Sequence, residues 1–271
     1  MGMEKQRIED LLQDFDIYLK SARVRPSTLK TYIPEVTRFL GTIKGEEFDE
    51  SDGRAYLANL YSMKDRTANK IYYALLALFK SQNITFNMEP PQIVDNPFQP
   101  TIRQDEMPKL ITAVKEGGDS NERGALALST VYGVRRVEIW RASENDLNLE
   151  DRTITIHTAK KGRERTHLIP DEVLDHISGY DFVPRSDQWY ADLFWGMIKK
   201  TGLDLPKGYG FHSIRRALYT GLTSKVDFLF RHEFLRWRIR GINIAMIYDQ
   251  NPPAQIDRIV FDNHPFLKFW R

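Results

Sequence analysis

The sequence contains no cysteine among its 271 residues. Disulfides, thiolate nucleophiles and cysteine-based zinc sites are thereby excluded, and the composition fits a reducing cytosol. No stretch approaches the roughly 18 unbroken apolar residues of a membrane span. The start, Met1-Gly2-Met3-Glu4-Lys5, runs on into acidic, amphipathic sequence rather than the apolar core of a secretory signal. Six histidines are scattered, and no two stand four apart around a carboxylate as in the His-Glu-x-x-His pattern of zinc hydrolases. A Gly-x-x-x-x-Gly-Lys phosphate loop is also missing. The expectation is a cytoplasmic protein with no membrane contact, no metal and no cofactor.

An excess charge of one sign is also missing, with a net of only +2, and that total says nothing about nucleic acid. Its distribution says more. From Lys207 to Arg240 there are eight lysines or arginines against two acids, Asp227 and Glu233. Such a local basic field suits a polyanion, although on charge alone a solvated helix face explains it better.

With 41% hydrophobic and 28% charged residues, the chain has material for two domains of ordinary size. Apolar spacing predicts helices over residues 4–20, from Pro26-Ser27-Thr28 with Ser27 or Thr28 as cap, from Ser51 to about Met63, and from about Asp65 to Gln82. Residues 1–85 thus read as an all-helical domain. Pro90, Pro91, Pro97 and Pro100 mark residues 86–100 as a linker. Residues 101–271 read as a second domain, with helices over Ile102–Glu116 and Arg123–Arg141 and then two short β-branched strands, Thr153–Ile156 and Thr166–Ile169, on either side of the basic turn Lys160-Lys161-Gly162-Arg163. Helical sequence resumes after Pro170. The fold class expected is mainly α with a small antiparallel β hairpin.

Four local signals bear on chemistry. Gly133-Val134-Arg135 with Glu138 one turn on can aim an arginine at a phosphate, the glutamate orienting it or holding a neighbouring helix. Lysines of the 160–165 turn can reach into a groove and donate a proton. His212 and Arg215, three apart at a helix start, lie on one face and can contact one phosphate. Arg236-Trp237 and Met246-Ile247-Tyr248 follow. Taken singly, a surface ion pair, a solvated turn, a capping histidine and a core tyrosine explain these pieces better.

Their order and spacing resemble the tyrosine recombinase (phage integrase) family, similar to integrases of archaeal viruses and plasmids. Gly133-Val134-Arg135, Glu138 and Asp146 follow that family's first box. Lys160, Gly162, Arg163, Arg165 and Leu168-Ile169-Pro170 follow its hairpin box in a register that favours Lys160 over Lys161. His212-x-x-Arg215 follows the third box, and Trp237 and Tyr248 the last. Pro26-Ser27-Thr28-Leu29-x-x-Tyr32 is typical of the family's N-terminal domain, so the likeness runs from about residue 4 to about 250. The usual Leu-Gly-His is replaced by Leu235-Arg236-Trp237, and the Trp-to-Tyr gap is a couple of residues longer.

The resemblance implies a SAM-like DNA-clamping domain followed by an integrase-type catalytic domain. It implies Tyr248 as nucleophile forming a 3′-phosphotyrosyl link, and Arg135 and Arg215 as a clamp on the non-bridging oxygens. His212 would be the base, Lys160 the acid for the 5′-oxygen, and Trp237 would pack on the site. It implies double-stranded DNA attachment sites as partners, a monomer when free and a homotetramer on paired DNA. Whether Tyr248 acts in its own subunit's site or a neighbour's stays open. Ranked below are a non-cutting architectural or regulatory DNA-binding protein, strand relaxation of the type IB topoisomerase kind, and a metal nuclease. The apolar tail Phe261, Phe266, Leu267, Phe269 and Trp270 fits a neighbouring subunit and its own core equally well.

Overall fold

A computed structural model describes residues 2–60, 63, 65–93, 99–158, 164–237 and 252–271. The chain forms two compact units, Met1–Pro97 and Phe98–Arg271.

Four helices make up the described part of the first unit: α1 (Lys5–Ser21), α2 (Pro26–Leu40), α3 (Glu50–Ala58) and α4 (Asp65–Ser81). Pro26, not a capping hydroxyl, sets the start of α2. It occupies the first helical turn behind an extended Arg25, and neither Ser27 nor Thr28 caps, because a proline at that place lacks only a donor the helix cannot use. Asp49 caps α3 by accepting from the Ser51 and Asp52 N–H groups. This helix ends at Ala58, short of the expected Met63. The expected inner face of α4 is realised, with Ile71, Leu75, Leu78 and Phe79 all buried. Residues 86–91, assigned to the linker by composition, are held on this unit. Phe86 stacks on Phe79 at 4.6 Å, the Tyr72 hydroxyl donates to Met88 O, and Asn69 donates to Pro91 O. Gly53 permits the approach, since a Cβ there would lie 2.8 Å from the Phe86 ring.

The second unit is built around one enclosed helix. Helix α6 (Ser120–Tyr132) is buried from Gly124 through Tyr132. It packs against α5 (Met107–Gly117), α8 (Asp171–Ser178), α9 (Asp187–Thr201) and α10 (Phe211–Leu222). Its buried hydroxyls at Ser129 and Thr130 each donate to the carbonyl four residues back. The helical pattern over 123–141 is two helices, not one. Gly133, at φ 57°, ends α6 in the left-handed conformation, and α7 (Arg136–Arg141) restarts after it. A Cβ on Gly133 would meet Leu235 Cδ2 at 2.7 Å and Arg215 Cγ at 3.3 Å, so glycine is required for space as well as for conformation.

A small antiparallel sheet lies beside this bundle: β1 (Leu147–Asn148), β2 (Thr153–Ile156) and β3 (Arg165–Leu168), in that order. Pairing of Ile156 with Arg165 closes the expected hairpin, and β1 is an additional strand. Helices α11 (Phe228–Phe234) and α12 (Pro253–Asp262) follow. The tail turns back on its own unit, with Phe266, Leu267 and Trp270 buried in the main core. Trp270 Nε1 donates to Thr130 Oγ1 and the His264 ring bonds Val131 O. Among the described residues no helix is long and apolar enough to cross a membrane.

Candidate active site

The break at Gly133 places Arg135. It stands in extended conformation (φ −82°, ψ 152°) at the N-cap of α7, not within a helix. Glu138 reaches back from the third helical position. Its Oε2 accepts from the Arg135 backbone N–H at 2.9 Å, and its Oε1 from Arg135 Nη1 at 2.5 Å. Helix α10 starts after the extended Gly210 and carries His212 and Arg215 in its first turns. Arg215 runs inward, where its terminal N–H groups donate to Gly133 O and Leu235 O. Its guanidinium also lies 4.0 Å from Glu138, and the Trp237 ring covers it at 5.2 Å. Four of the six residues expected to act together therefore assemble: Arg135, His212, Arg215 and Trp237. Lys160 and Tyr248 lie outside the described residues. A cavity of about 420 Å³ opens beside this cluster, lined among others by Arg135, His212, Trp195 and Tyr209.

One glutamate serves three arginines. Glu138 is 2% exposed and also accepts from Arg236 Nη2 at 3.3 Å. Burial works to raise its pKa, but Arg236, then the Arg135 N–H and the charges of Arg135 and Arg215, hold it below the usual carboxylate range. Burial pulls the Arg215 guanidinium down, as do its neighbours Arg236 and Arg135, against the pull of Glu138. A buried carboxylate is stable only with such partners.

Arg236 is the participant whose role the sequence left unassigned. Its N–H donates to Glu233 O, and the Trp237 N–H donates to His232 O. These two bonds form a Schellman closure of α11 with residue 236 at the left-handed position, φ 58°. The family's Leu-Gly-His carries glycine there, and an arginine in that conformation costs roughly 1–2 kcal/mol. The departure itself was the available signal: an arginine where the turn favours glycine must be held by its side chain. That side chain is fully buried. Nη1 donates to His167 Nε2 at 3.0 Å and to Phe234 O at 3.2 Å, and Nη2 to Tyr132 O at 3.2 Å as well as to Glu138. Burial lowers its pKa to about 10 against the pull of Glu138, which leaves it charged at neutral pH.

Since His167 Nε2 accepts, Nδ1 carries the proton and donates to Asp257 Oδ1 at 3.1 Å. Burial keeps this imidazole neutral, with a pKa of about 4. Asp257 also accepts from Arg165 Nη2 at 2.7 Å and from the Leu168 N–H at 2.8 Å. Beside the hairpin, His157 bridges Asp146 at 2.6 Å and Glu164 at 2.7 Å. Among the described residues no group of three or more histidines and carboxylates is arranged to hold a metal.

His212 sits exposed at the rim. Partial withdrawal from solvent, then the charges of Arg135, Arg215 and Arg216, lower its pKa below 6.5. It is neutral at physiological pH and able to accept a proton. If it is the base, single-turnover strand cleavage falls as pH drops below the ordinary histidine value of 6.5 and is flat above it. The His212→Gln variant should lose that acidic limb. A limb that persists in the variant assigns the titration to another group.

The profile of the phage integrase family matches residues 100–251. The tyrosine recombinase XerA of Pyrococcus furiosus is 27% identical over 188 residues, a match covering 65% of this chain and 62% of that protein. A lambda integrase fragment, residues 75–356, solved as a dimer bound to a COC′ core site, is 18% identical. It covers 85% of this chain and 95% of its own, with a TM-score of 0.67. The XerH site-specific recombinase in a post-cleavage complex with palindromic difH substrate covers 86% of this chain and 82% of its own, at 16% identity and a TM-score of 0.60. These two agree with the present chain in fold. The family profile spans more than half of the sequence, including every residue of the arginine–glutamate cluster, and on that match the chain belongs to the phage integrase family, the tyrosine recombinases.

Proposed function

We propose that this protein is a site-specific DNA recombinase that cuts and rejoins strands by transesterification, acting in the cytoplasm on attachment sites of a mobile element. The observation that carries the reading is the convergence of Arg135 and Arg215 on Glu138 beside a cavity that His212 also lines. A phosphodiester resists attack because its oxygens are negative, and charge builds up on them as a fifth bond forms at phosphorus. Guanidinium groups held in advance stabilise that charge. In this reading the Tyr248 oxygen attacks phosphorus and the bond to the 5′-oxygen breaks. His212 takes the phenol proton and Lys160 supplies one to the departing 5′-oxygen. The link conserves the energy of the broken ester, so rejoining to a new 5′-hydroxyl needs no nucleotide. Trp237 keeps Arg215 oriented through the face of its ring.

The helical first unit clamps the duplex and the second cuts it. The protein is monomeric when free and gathers as a tetramer on paired DNA, since two strands of each of two duplexes must be exchanged. Lysine and arginine contacts to the backbone dominate affinity, which falls steeply with salt.

The test is a nicked duplex carrying a candidate attachment site, incubated with the protein and run under denaturing conditions. A labelled protein–DNA adduct that forms undiminished in excess EDTA is expected, because arginines bring the charge a metal would otherwise supply. Binding without any adduct indicates a non-cutting DNA-binding protein. Activity lost in EDTA and restored by magnesium indicates a nuclease.

A further inference from the structure

The Schellman position occupied by Arg236 suits glycine, and its side chain never reaches solvent. Neither turn geometry nor surface charge accounts for an arginine there. Its contacts do. Glu138 faces Arg135 and Arg215 on one side and Arg236 on the other. With three guanidiniums around one carboxylate the cluster carries a net charge of two. Without Arg236 the carboxylate would cancel half of what Arg135 and Arg215 present.

We propose that Arg236 is a positioning residue for the phosphate clamp: it engages Glu138 from the core side so that Arg135 and Arg215 keep their charge for the scissile phosphate, and through His167 it fastens the clamp to the strand and helix that flank the Lys160 and Tyr248 segments. This rests on the recombinase reading above.

The second half of the proposal follows from what His167 touches. Arg236 stands two residues before segment 238–251, and α12 begins two residues after it. Both flanks are tied to β3. On the near side Arg236 donates to His167. On the far side Asp257 accepts from His167, Arg165 and the Leu168 N–H, and Arg165 Nη2 donates to Pro253 O at 3.0 Å. Strand β3 is also the arm of the hairpin that leads out of the Lys160 turn. A single neutral histidine, donating on one nitrogen and accepting on the other, thus joins the clamp to the anchorage of both segments expected to bring the acid and the nucleophile.

Arg236→Gly supplies the residue the turn favours while removing the guanidinium. The expected result is a folded variant that binds the attachment duplex within about threefold of the parent. Its single-turnover cleavage of the nicked substrate is slowed about 10–100-fold, the scale of groups that orient reacting residues from behind. Methylguanidinium added to Arg236→Gly should restore cleavage, and it should do nothing for the parent. Arg236→Lys keeps the charge but not the fork that reaches Glu138 and His167 together, and should fall between the two. Cleavage by a folded Arg236→Gly at the parent's rate overturns the proposal. So does a loss recovered by cooling or an osmolyte but not by methylguanidinium, which marks a purely structural role. If Arg236→Gly does not fold, Arg236→Lys decides, and parent-like cleavage by it overturns the proposal. A parent protein that forms no adduct defeats the recombinase reading instead, a result separate from all of these.

Discussion

Tyr248→Phe is expected to abolish the covalent protein–DNA adduct while leaving DNA binding close to the parent's. Only the hydroxyl is lost, so the basic surface persists, but no oxygen remains to attack phosphorus. A free phenol has a pKa of about 10 and reacts only when a base removes its proton, so with His212 as the proposed base the nucleophile must be a tyrosine that reaches it. Among the described residues, the tyrosines near the arginine cluster include Tyr209, which lines the cavity, and Tyr219. Tyr219 lies one turn beyond Arg215 on α10, with its ring 4.8 Å from that of Trp237. The measurement is a denaturing gel of labelled nicked duplex, with a filter or gel-shift assay alongside for binding. An adduct that survives in Tyr248→Phe but disappears when Tyr219→Phe is added moves the nucleophile to α10 and removes Tyr248 from the mechanism.

Ending the chain after Asn251 is expected to unfold the second unit. The deletion takes away Ile256, Val260, Phe266 and Trp270, all buried. It also takes Asp257, the carboxylate on which Arg165 and His167 converge. Emptying a core site of one large side chain costs about 2–5 kcal/mol, and a whole domain is stable by only about 5–15 kcal/mol, so four such losses exceed what the unit can bear. The charges left behind add to the deficit, because buried Arg165 would lose its best partner. Loss of soluble protein, or of a cooperative melt for the second unit, is the expected observation. A shortened protein that stays folded and binds one site, yet forms no higher-order complex, would instead mean that the tail serves a neighbouring subunit.

Much of the candidate cluster was legible because chemistry constrains residue type and order. Gly133-Val134-Arg135, His212-x-x-Arg215 and Trp237 could be read before any contact was known, and they come together. The helix break at Gly133 was not legible. Val134 and Val137 continue the apolar period of α6, and an isolated glycine is tolerated in a helix. What forces the break is the approach of Leu235 and Arg215 from elements 80 or more residues away, and no local window contains that. The tail posed a similar problem. Phe266 and Trp270 announce an apolar surface, but only the long-range partners Thr130 and Val131 decide which surface it meets. The hidden network of Arg165, His167, Arg236 and Asp257 joins residues from three separate stretches. Its one local trace was the arginine standing in a glycine's place.

The same tail orders the events of synthesis. Helix α6, whose end sets Arg135 in place, completes its hydrogen bonds at Thr130 and Val131 with residues 264–270. The first unit has a core drawn wholly from residues 3–86 and can fold while the rest is still being made, as N-terminal domains generally do. On a growing chain, the unit that carries the arginine cluster therefore completes after the first unit, once residues 264–270 and both flanks of the tyrosine segment have left the ribosome.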